Sequence, residues 1–418
     1  MGLIHTLPLP VRLPLIRTAL AAARAAREPA WRKVRPSHSP GPLVVSGFLG
    51  EALGIGRAGD ATADALQAAG FALERQSLRT RQRAVWSLGK KPAVTGRPGG
   101  VWLIHANAPE AEVALMTHDP ADWAGRYRIG YWAWETTEAP SDWTRVAPWF
   151  DEIWAPSQFT ADAIAAAFAR AGRAELSNRL RVMPHPVTPP EPTPGEAAAL
   201  DLEPGATHAL VMFDGRSAFA RKNPWGAIEA WVRAFPQARP GVRLLIKGSN
   251  LAIDPVSRQR LADLTRTRSD IRLIEMSLSE ADLWRLLADI DLLISLHRGE
   301  GFGLVAAEAM SLGRPVLMTG WSGVTDFADD TSAAMVPYRL ISARDPSGAY
   351  RQGQWAEPDI DAAARMIRDL IDHPDHARLL GARGPGRIAQ LNTAWSPTAL
   401  AKMAFASLID NSDRRPVL

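Results

Sequence analysis

His297-Arg298-Gly299-Glu300-Gly301-Phe302-Gly303-Leu304-Val305-Ala306-Ala307-Glu308 is the stretch on which the chain turns. Before it lies a strand-like apolar run, Asp291-Leu292-Leu293-Ile294-Ser295. After it the pattern becomes helical from about Leu304 to Leu312, Gly313 stops that helix, and Arg314-Pro315-Val316-Leu317-Met318 starts the next strand. A glycine-rich turn that leaves a strand and opens a helix aims backbone N–H groups and the positive end of a helix dipole at one point, which suits an anion such as phosphate. Glu300 and Glu308 frame the same turn. Carboxylates repel phosphate, so they need a different partner nearby, and sugar hydroxyls fit. Phosphate flanked by hydroxyls describes a nucleotide-sugar.

Working outward, the same alternation recurs on the N-terminal side. Ala209-Leu210-Val211-Met212-Phe213 reads as a strand leading to Asp214-Gly215-Arg216, then Arg221-Lys222-Asn223-Pro224 and a helix to Phe235. Strands over 242–247 and 271–275 follow, with helices between, and Ser279-Glu280-Ala281-Asp282 forms a capping box. Upstream, residues 188–206 are dense in proline and read as a linker. Before the linker a second set of βα units begins at Pro42-Leu43-Val44-Val45-Ser46-Gly47-Phe48 and runs into Gly50-Glu51-Ala52-Leu53-Gly54-Ile55-Gly56. That turn admits a dinucleotide-type site, but its spacing is not Gly-x-Gly-x-x-Gly; a tight turn without ligand is the other reading. Two halves of βα units on either side of a proline-rich joint spell two doubly wound parallel sheets.

The Glu300–Glu308 stretch, with Gly301-Phe302-Gly303 inside it, resembles the signature of the retaining family 4 glycosyltransferases of GT-B fold, of the bacterial polysaccharide type. The resemblance implies two Rossmann-like domains facing across a cleft, with the donor in the C-terminal one. It implies that Glu300 meets the transferred sugar, Glu308 the ribose diol, and the backbone of Gly301, Phe302, Gly303 and Leu304 the diphosphate or sugar. Arg216 and Lys222, six residues apart, match the basic pair that such enzymes direct at the donor diphosphate. Fixed cations there stabilise the charge growing on the leaving phosphate, with no metal or other cofactor. By the same likeness the loop bearing Gly54 and Gly56 approaches the donor. His105, ending the strand Val101-Trp102-Leu103-Ile104-His105, corresponds to a histidine aimed at the donor sugar. Tyr131-Trp132-Ala133-Trp134-Glu135 is similar to a segment of these enzymes, which makes Trp134 and Glu135 acceptor-side candidates. Alternation nevertheless points at least one of Trp132 and Trp134 into the core.

The expected organisation is a basic extension over 1–40, an acceptor-side domain over 41–188, the linker over 189–206, a nucleotide-sugar domain over 207–395, and a C-terminal helix over 396–418 that crosses back to the N-terminal domain. A chain of 418 residues exceeds one typical core and supports two domains. It has no cysteine, so disulfides and thiolate metal sites are excluded. Asp289-Ile290-Asp291 mimics an Asp-x-Asp metal site, but it sits at a helix-to-strand junction well before the glycine turn.

No run of 18 apolar residues suggests a membrane span. The net charge is +4, of which residues 1–40 alone supply +6, so the rest of the chain sums to −2. A folded part without net basic excess argues against nucleic acid. Within the basic extension, residues 15–27 can form a short helix with Arg17 and Arg24 on one face, a foot for anionic lipid or a tail packed on the surface. The basic loop 79–100 is either solvated or an acceptor contact.

The expected function is a retaining, metal-independent hexosyltransferase. It would move sugar from a nucleotide-diphosphate donor to a glycan or lipid-linked acceptor in cell-surface polysaccharide biosynthesis, in the cytoplasm at the inner face of the membrane. The alternatives are a sugar-nucleotide epimerase of the same fold and a catalytically silent sugar-nucleotide-binding protein.

Overall fold

The computed structural model describes residues 9–33, 37–51, 54–79, 91–191 and 202–410. It separates into two compact units, one formed by residues up to 186 with 346–352 and those from 392 onward, the other by 187–345 and 353–391.

The first unit is built on a six-stranded sheet in the order β2-β1-β3-β4-β5-β6, with every described pairing parallel. Its strands are β1 (Leu43–Gly47), β2 (Leu73–Ser77), β3 (Val101–His105), β4 (Tyr127–Tyr131), β5 (Glu152–Ala155) and β6 (Leu180–Val182). β1, β3 and β5 are buried along their whole length, as expected of strands covered on both faces. β2 is an edge strand, Leu-Glu-Arg-Gln-Ser, whose polar composition hides it from a search for apolar runs. Trp132 and Trp134 follow β4 and are both buried, so the core placement expected from alternation holds for both.

The N-terminal helix, Leu9–Trp31, is longer than expected and runs through Pro14. It is part of the fold: Ala23 and Trp31 are buried, and Trp31 meets Trp123 and Trp149 edge-on at 5.5 and 5.2 Å. Arg24, one of the two arginines read as facing lipid, instead reaches Glu112 at 3.1 Å. The Ala52-Leu53 part of the first glycine turn, Arg81, Arg83 and Lys90 of the basic loop, and most of the proline-rich linker lie outside the described residues, as do 411–418.

The single terminal helix expected from 396 is broken into Pro397–Ala401 and two 3-10 turns, Thr393–Trp395 and Ala404–Leu408. Trp395, Leu400, Phe405 and Ile409 are all buried. Their spacing of about five residues would scatter them around one continuous helix, and breaks let each face inward. Trp395 donates to the Pro184 carbonyl at 2.8 Å, and Gly41 and Ile409 form a parallel bridge.

The second unit holds β7 (Thr207–Asp214), β8 (Val242–Ser249), β9 (Ile271–Glu275), β10 (Leu292–Ser295), β11 (Val316–Thr319) and β12 (Ala334–Val336). Their order is β12-β11-β10-β7-β8-β9, again parallel. Counted within the unit this is the dinucleotide-fold order, and its switch point falls between β7 and β10, where ligands bind in such sheets. A hairpin of β13 (Tyr338–Ser342) and β14 (Gln354–Pro358) was not expected. The tip between these strands contributes residues 346–352 to the first unit.

Candidate active site

At the switch point of the second unit, the segment after β7 meets the segment after β10. The first segment makes a 3-10 turn, Gly215–Ser217, and a short helix, Phe219–Lys222. It then reverses at Asn223, whose φ of 49° is left-handed. Asn223 tolerates this conformation because its side chain works on both sides of the bend. Its Nδ2 donates to the Leu296 carbonyl at 2.9 Å, and its Oδ1 accepts from Gly226 N at 3.2 Å, capping the helix Pro224–Ala234. Asn223 thus fixes Arg221 and Lys222 against the end of β10.

Glu300 stands in the second segment and is buried. Lys222 Nζ donates to its Oε1 at 2.5 Å and Arg221 Nη1 to its Oε2 at 3.0 Å. Arg221 also donates to the Gly299 carbonyl at 2.8 Å. Burial alone would raise the Glu300 carboxyl, but the Lys222 and Arg221 charges outweigh it and hold the group down at about 2. The result is an acceptor inside the protein that is ionised at neutral pH and oriented by two cations. The Glu300 amide donates to Ser322 Oγ at 2.9 Å, and Gly323 N donates to the Glu300 carbonyl at 3.0 Å. Ser322 itself is held at φ 73°.

His297 is buried beneath this turn, and burial lowers its pKa although the Glu300 charge opposes the shift. Its Nε2 lies 3.2 Å from the Trp321 carbonyl, and its Nδ1 lies 3.1 Å from the Ser295 carbonyl and 3.2 Å from Ser295 Oγ, so both ring nitrogens face backbone oxygens. Arg298 braces the outer side, with a two-pronged bond to Glu357 at 2.7 and 2.9 Å and a third to the Ala220 carbonyl at 2.7 Å.

The glycine turn then opens the helix Leu304–Ser311, and among the described residues no side chain caps it. Gly303 has φ 97°, and a Cβ there would come within 2.5 Å of Val324 Cγ1, so only glycine fits. The Phe302 ring packs on Phe327 at 5.2 Å in the core, so the side chain is committed to packing. Glu308 is buried one turn into the same helix. Arg216 is half a step away in role: its guanidinium is exposed and grips Asp214, with Nη2 to Oδ2 at 3.1 Å. Thus Lys222 and Glu300 are brought into contact, whereas Arg216 is tied to its own turn.

Asp291 of the Asp-x-Asp pattern accepts from the His208 amide at 2.8 Å and joins β10 to β7. Among the described residues, no group of three His, Cys, Asp or Glu side chains is arranged to hold a metal ion.

In the first unit, His105 ends β3 beside β1. It is buried between Tyr131 and His185, with ring centres 4.4 and 5.5 Å away. Burial pushes its pKa down to about 3, and neither ring nitrogen finds a partner among the described residues. Gly54 begins the helix Gly54–Ala68 facing open space, whereas a Cβ on Gly56 would lie 2.5 Å from the Glu51 carbonyl. Gly56 is therefore accounted for by chain packing alone. Trp134 Nε1 donates to Thr136 Oγ1 and the Glu138 carbonyl, and Tyr350 covers its ring at 5.1 Å. Glu135 accepts from Tyr350 Oη at 2.9 Å. Both acceptor-side candidates are thus engaged by Tyr350.

The family model described as Family 4 Glycosyltransferase in conflict systems matches residues 163–399, more than half of the chain. The chain belongs to this glycosyltransferase family. Solved structures agree on the fold of this glycosyltransferase. A glycosyltransferase from Rickettsia africae is similar at 13% identity and TM-score 0.57, over 86% of this chain and 95% of its own. HepE from Anabaena, crystallised with UDP, is similar at 14% identity and TM-score 0.53, over 86% of this chain and 97% of its own. Against TarM of S. aureus the TM-score is 0.48 at 12% identity, over 72% of this chain and 54% of TarM, so the glycosyltransferase spans about half the length of that protein. No curated protein matches the sequence. The two parallel-sheet α/β units are those of the GT-B fold.

Arg221, Asn223 and Ser322 were not singled out from the sequence. The Arg-Lys-Asn-Pro string gave a partial signal for the first two, because a cation pair ahead of an Asn-Pro cap sits at a turn rather than on a helix face. Ser322 lies in the glycine turn from Thr319 to Phe327, which resembles a family segment lining the nucleotide-sugar pocket, but its own bond to the Glu300 amide has no local mark.

Proposed function

We propose that this glycosyltransferase moves a hexose from a nucleotide-diphosphate sugar to a glycan or lipid-linked acceptor, with retention at the anomeric carbon and without a metal. The observation that carries this reading is the buried Glu300 carboxylate held ionised by Lys222 and Arg221 at the switch point of the second unit. A carboxylate kept charged accepts strongly from sugar hydroxyls. The Lys222 ammonium has three donors and uses one on Glu300, so two remain for phosphate oxygens. The uncapped start of the helix Leu304–Ser311 offers amides to the same anion.

In the proposed mechanism Glu300 orients the sugar and Glu308 takes the ribose diol. Lys222 and Arg216 stabilise charge on the leaving diphosphate as the glycosidic bond breaks. The departing phosphate oxygen then helps take the proton of the acceptor hydroxyl, whose oxygen forms the new bond to the anomeric carbon. A role in cell-surface polysaccharide assembly at the cytoplasmic face of a membrane stays part of this proposal. HepE was crystallised with UDP-glucose, which makes uridine diphosphate sugars the first donors to try.

The experiment is a thermal-shift screen against nucleotide-sugars, followed by product analysis with the stabilising donor. A donor present at 100 times its dissociation constant adds about 2.7 kcal/mol of stability. Lys222→Ala should erase the shift for diphosphate ligands. An unchanged shift in that variant would remove Lys222 from the site, and a donor isomerised without transfer would favour the epimerase.

A further inference from the structure

A basic cavity in the first unit has no part in the proposed transfer chemistry. Its volume is about 460 Å³, and Arg24, Glu28, Arg32, Arg145, Trp149 and Arg173 line it. One wall is the N-terminal helix, which belongs to the part of the chain outside the glycosyltransferase resemblance. The helix is fixed there by Trp31 against Trp149 and by the Arg24–Glu112 pair, whose side chains are only 12% and 6% exposed. The cavity is therefore a property of the folded unit rather than a fold of loose tail.

Four arginines and one glutamate line the cavity. Arg24 is committed to Glu112, and Arg32 pairs with Glu28 at 2.5 Å. Arg173 pairs with Glu175 at 2.5 Å. The last two pairs are open to solvent, where such pairs contribute little, so a stronger anion can replace their carboxylates. Arg145 is exposed and its side chain has no ion pair or hydrogen bond among the described residues. Arginines contributed by different elements to one cavity match the several oxygens and double charge of a phosphate better than a single carboxylate. The volume falls in the range of small-molecule sites and exceeds what an inorganic ion fills. Trp149, half-buried at the rim, supplies a flat wall for the remainder of such a molecule.

We infer that this cavity binds a phosphate-bearing small molecule or headgroup, with Arg145 and Arg173 on the phosphoryl oxygens and Trp149 against its organic part. The source is either a soluble phosphorylated compound or a phospholipid, and the experiment separates them. Full-length protein carrying Lys222→Ala, which weakens the cation site of the second unit, is titrated with inorganic pyrophosphate by calorimetry. In parallel it is floated with phosphatidylcholine vesicles with and without phosphatidic acid. Arg145→Glu is then added, and separately Arg173→Glu; both side chains are exposed, and circular dichroism checks the fold. The expected result is binding in at least one arm that Arg145→Glu weakens tenfold or more. Sensitivity confined to pyrophosphate assigns a soluble ligand, and sensitivity confined to acidic vesicles assigns a lipid. Binding in neither arm, or binding that neither substitution weakens even threefold, overturns the inference.

Discussion

In the second unit a buried carboxylate, Glu300, keeps its charge because Lys222 and Arg221 face it. At the carboxyl edge of the sheet in the first unit, His105 is equally buried, yet it lies among Tyr131 and His185 and stays neutral. Both solutions avoid a lone buried charge, which is the costly arrangement. They suit different partners. Fixed opposite charges arrange a site in advance for an ionic partner, whereas the neutral ring cluster around His105 carries no such charge.

The largest expected effect falls on the pair itself. Arg221→Ala removes one of the two cations from Glu300 and the bond to Gly299, and should destabilise the second unit by about 3–5 kcal/mol in urea unfolding. A loss under 1 kcal/mol would mean that Lys222 alone is enough and that the contrast is overdrawn. Next, Lys222→Ala should lower the transfer rate by roughly 10²- to 10³-fold, the usual consequence of losing one preorganised donor to developing charge.

Acid sharpens the contrast further. Folded His105 titrates near 3 and an unfolded histidine near 6.5, so the unfolded chain binds more protons between these values. Stability should therefore fall as pH drops below 6.5, by about 2 kcal/mol at pH 5 from this residue. His105→Phe should flatten that slope, and an unchanged pH profile would show the ring to be less enclosed. Glu300 acts lower down: its contribution is complete above about 4.5 and is lost as pH falls toward 2. The smallest effect is expected from Arg216→Ala, about tenfold in rate, because that guanidinium is solvent-exposed and bound to Asp214. A loss as deep as that of Lys222→Ala would place Arg216 on the diphosphate as a full partner.

What could be read from the residues alone follows the range of the interaction that fixes each feature. The strands β1, β3, β7 and β10 and the turn from Glu300 to Glu308 are set by local apolar runs and glycines, and both are visible in a short window. Lys222 was legible from its spacing to Arg216. Arg221 was not, because its burial depends on Glu300, 79 residues on. The same reason hides the bond between Ser322 and the Glu300 amide, the break-up of the C-terminal segment around Trp395 and Phe405, and the return of residues 346–352 to the first unit. The partnership of Tyr350 with Glu135 spans 215 residues and has no signature in either segment.

The tryptophan that ends the N-terminal helix sets a practical limit on shortening this enzyme. A version begun at β1 would uncover Trp123 and Trp149 together and strand Glu112 without its guanidinium. Such a product should clump on expression even though every residue of the turn from Glu300 to Glu308 is still present. Affinity handles and fusions are therefore best joined ahead of the first helix, with trimming left to the opposite terminus.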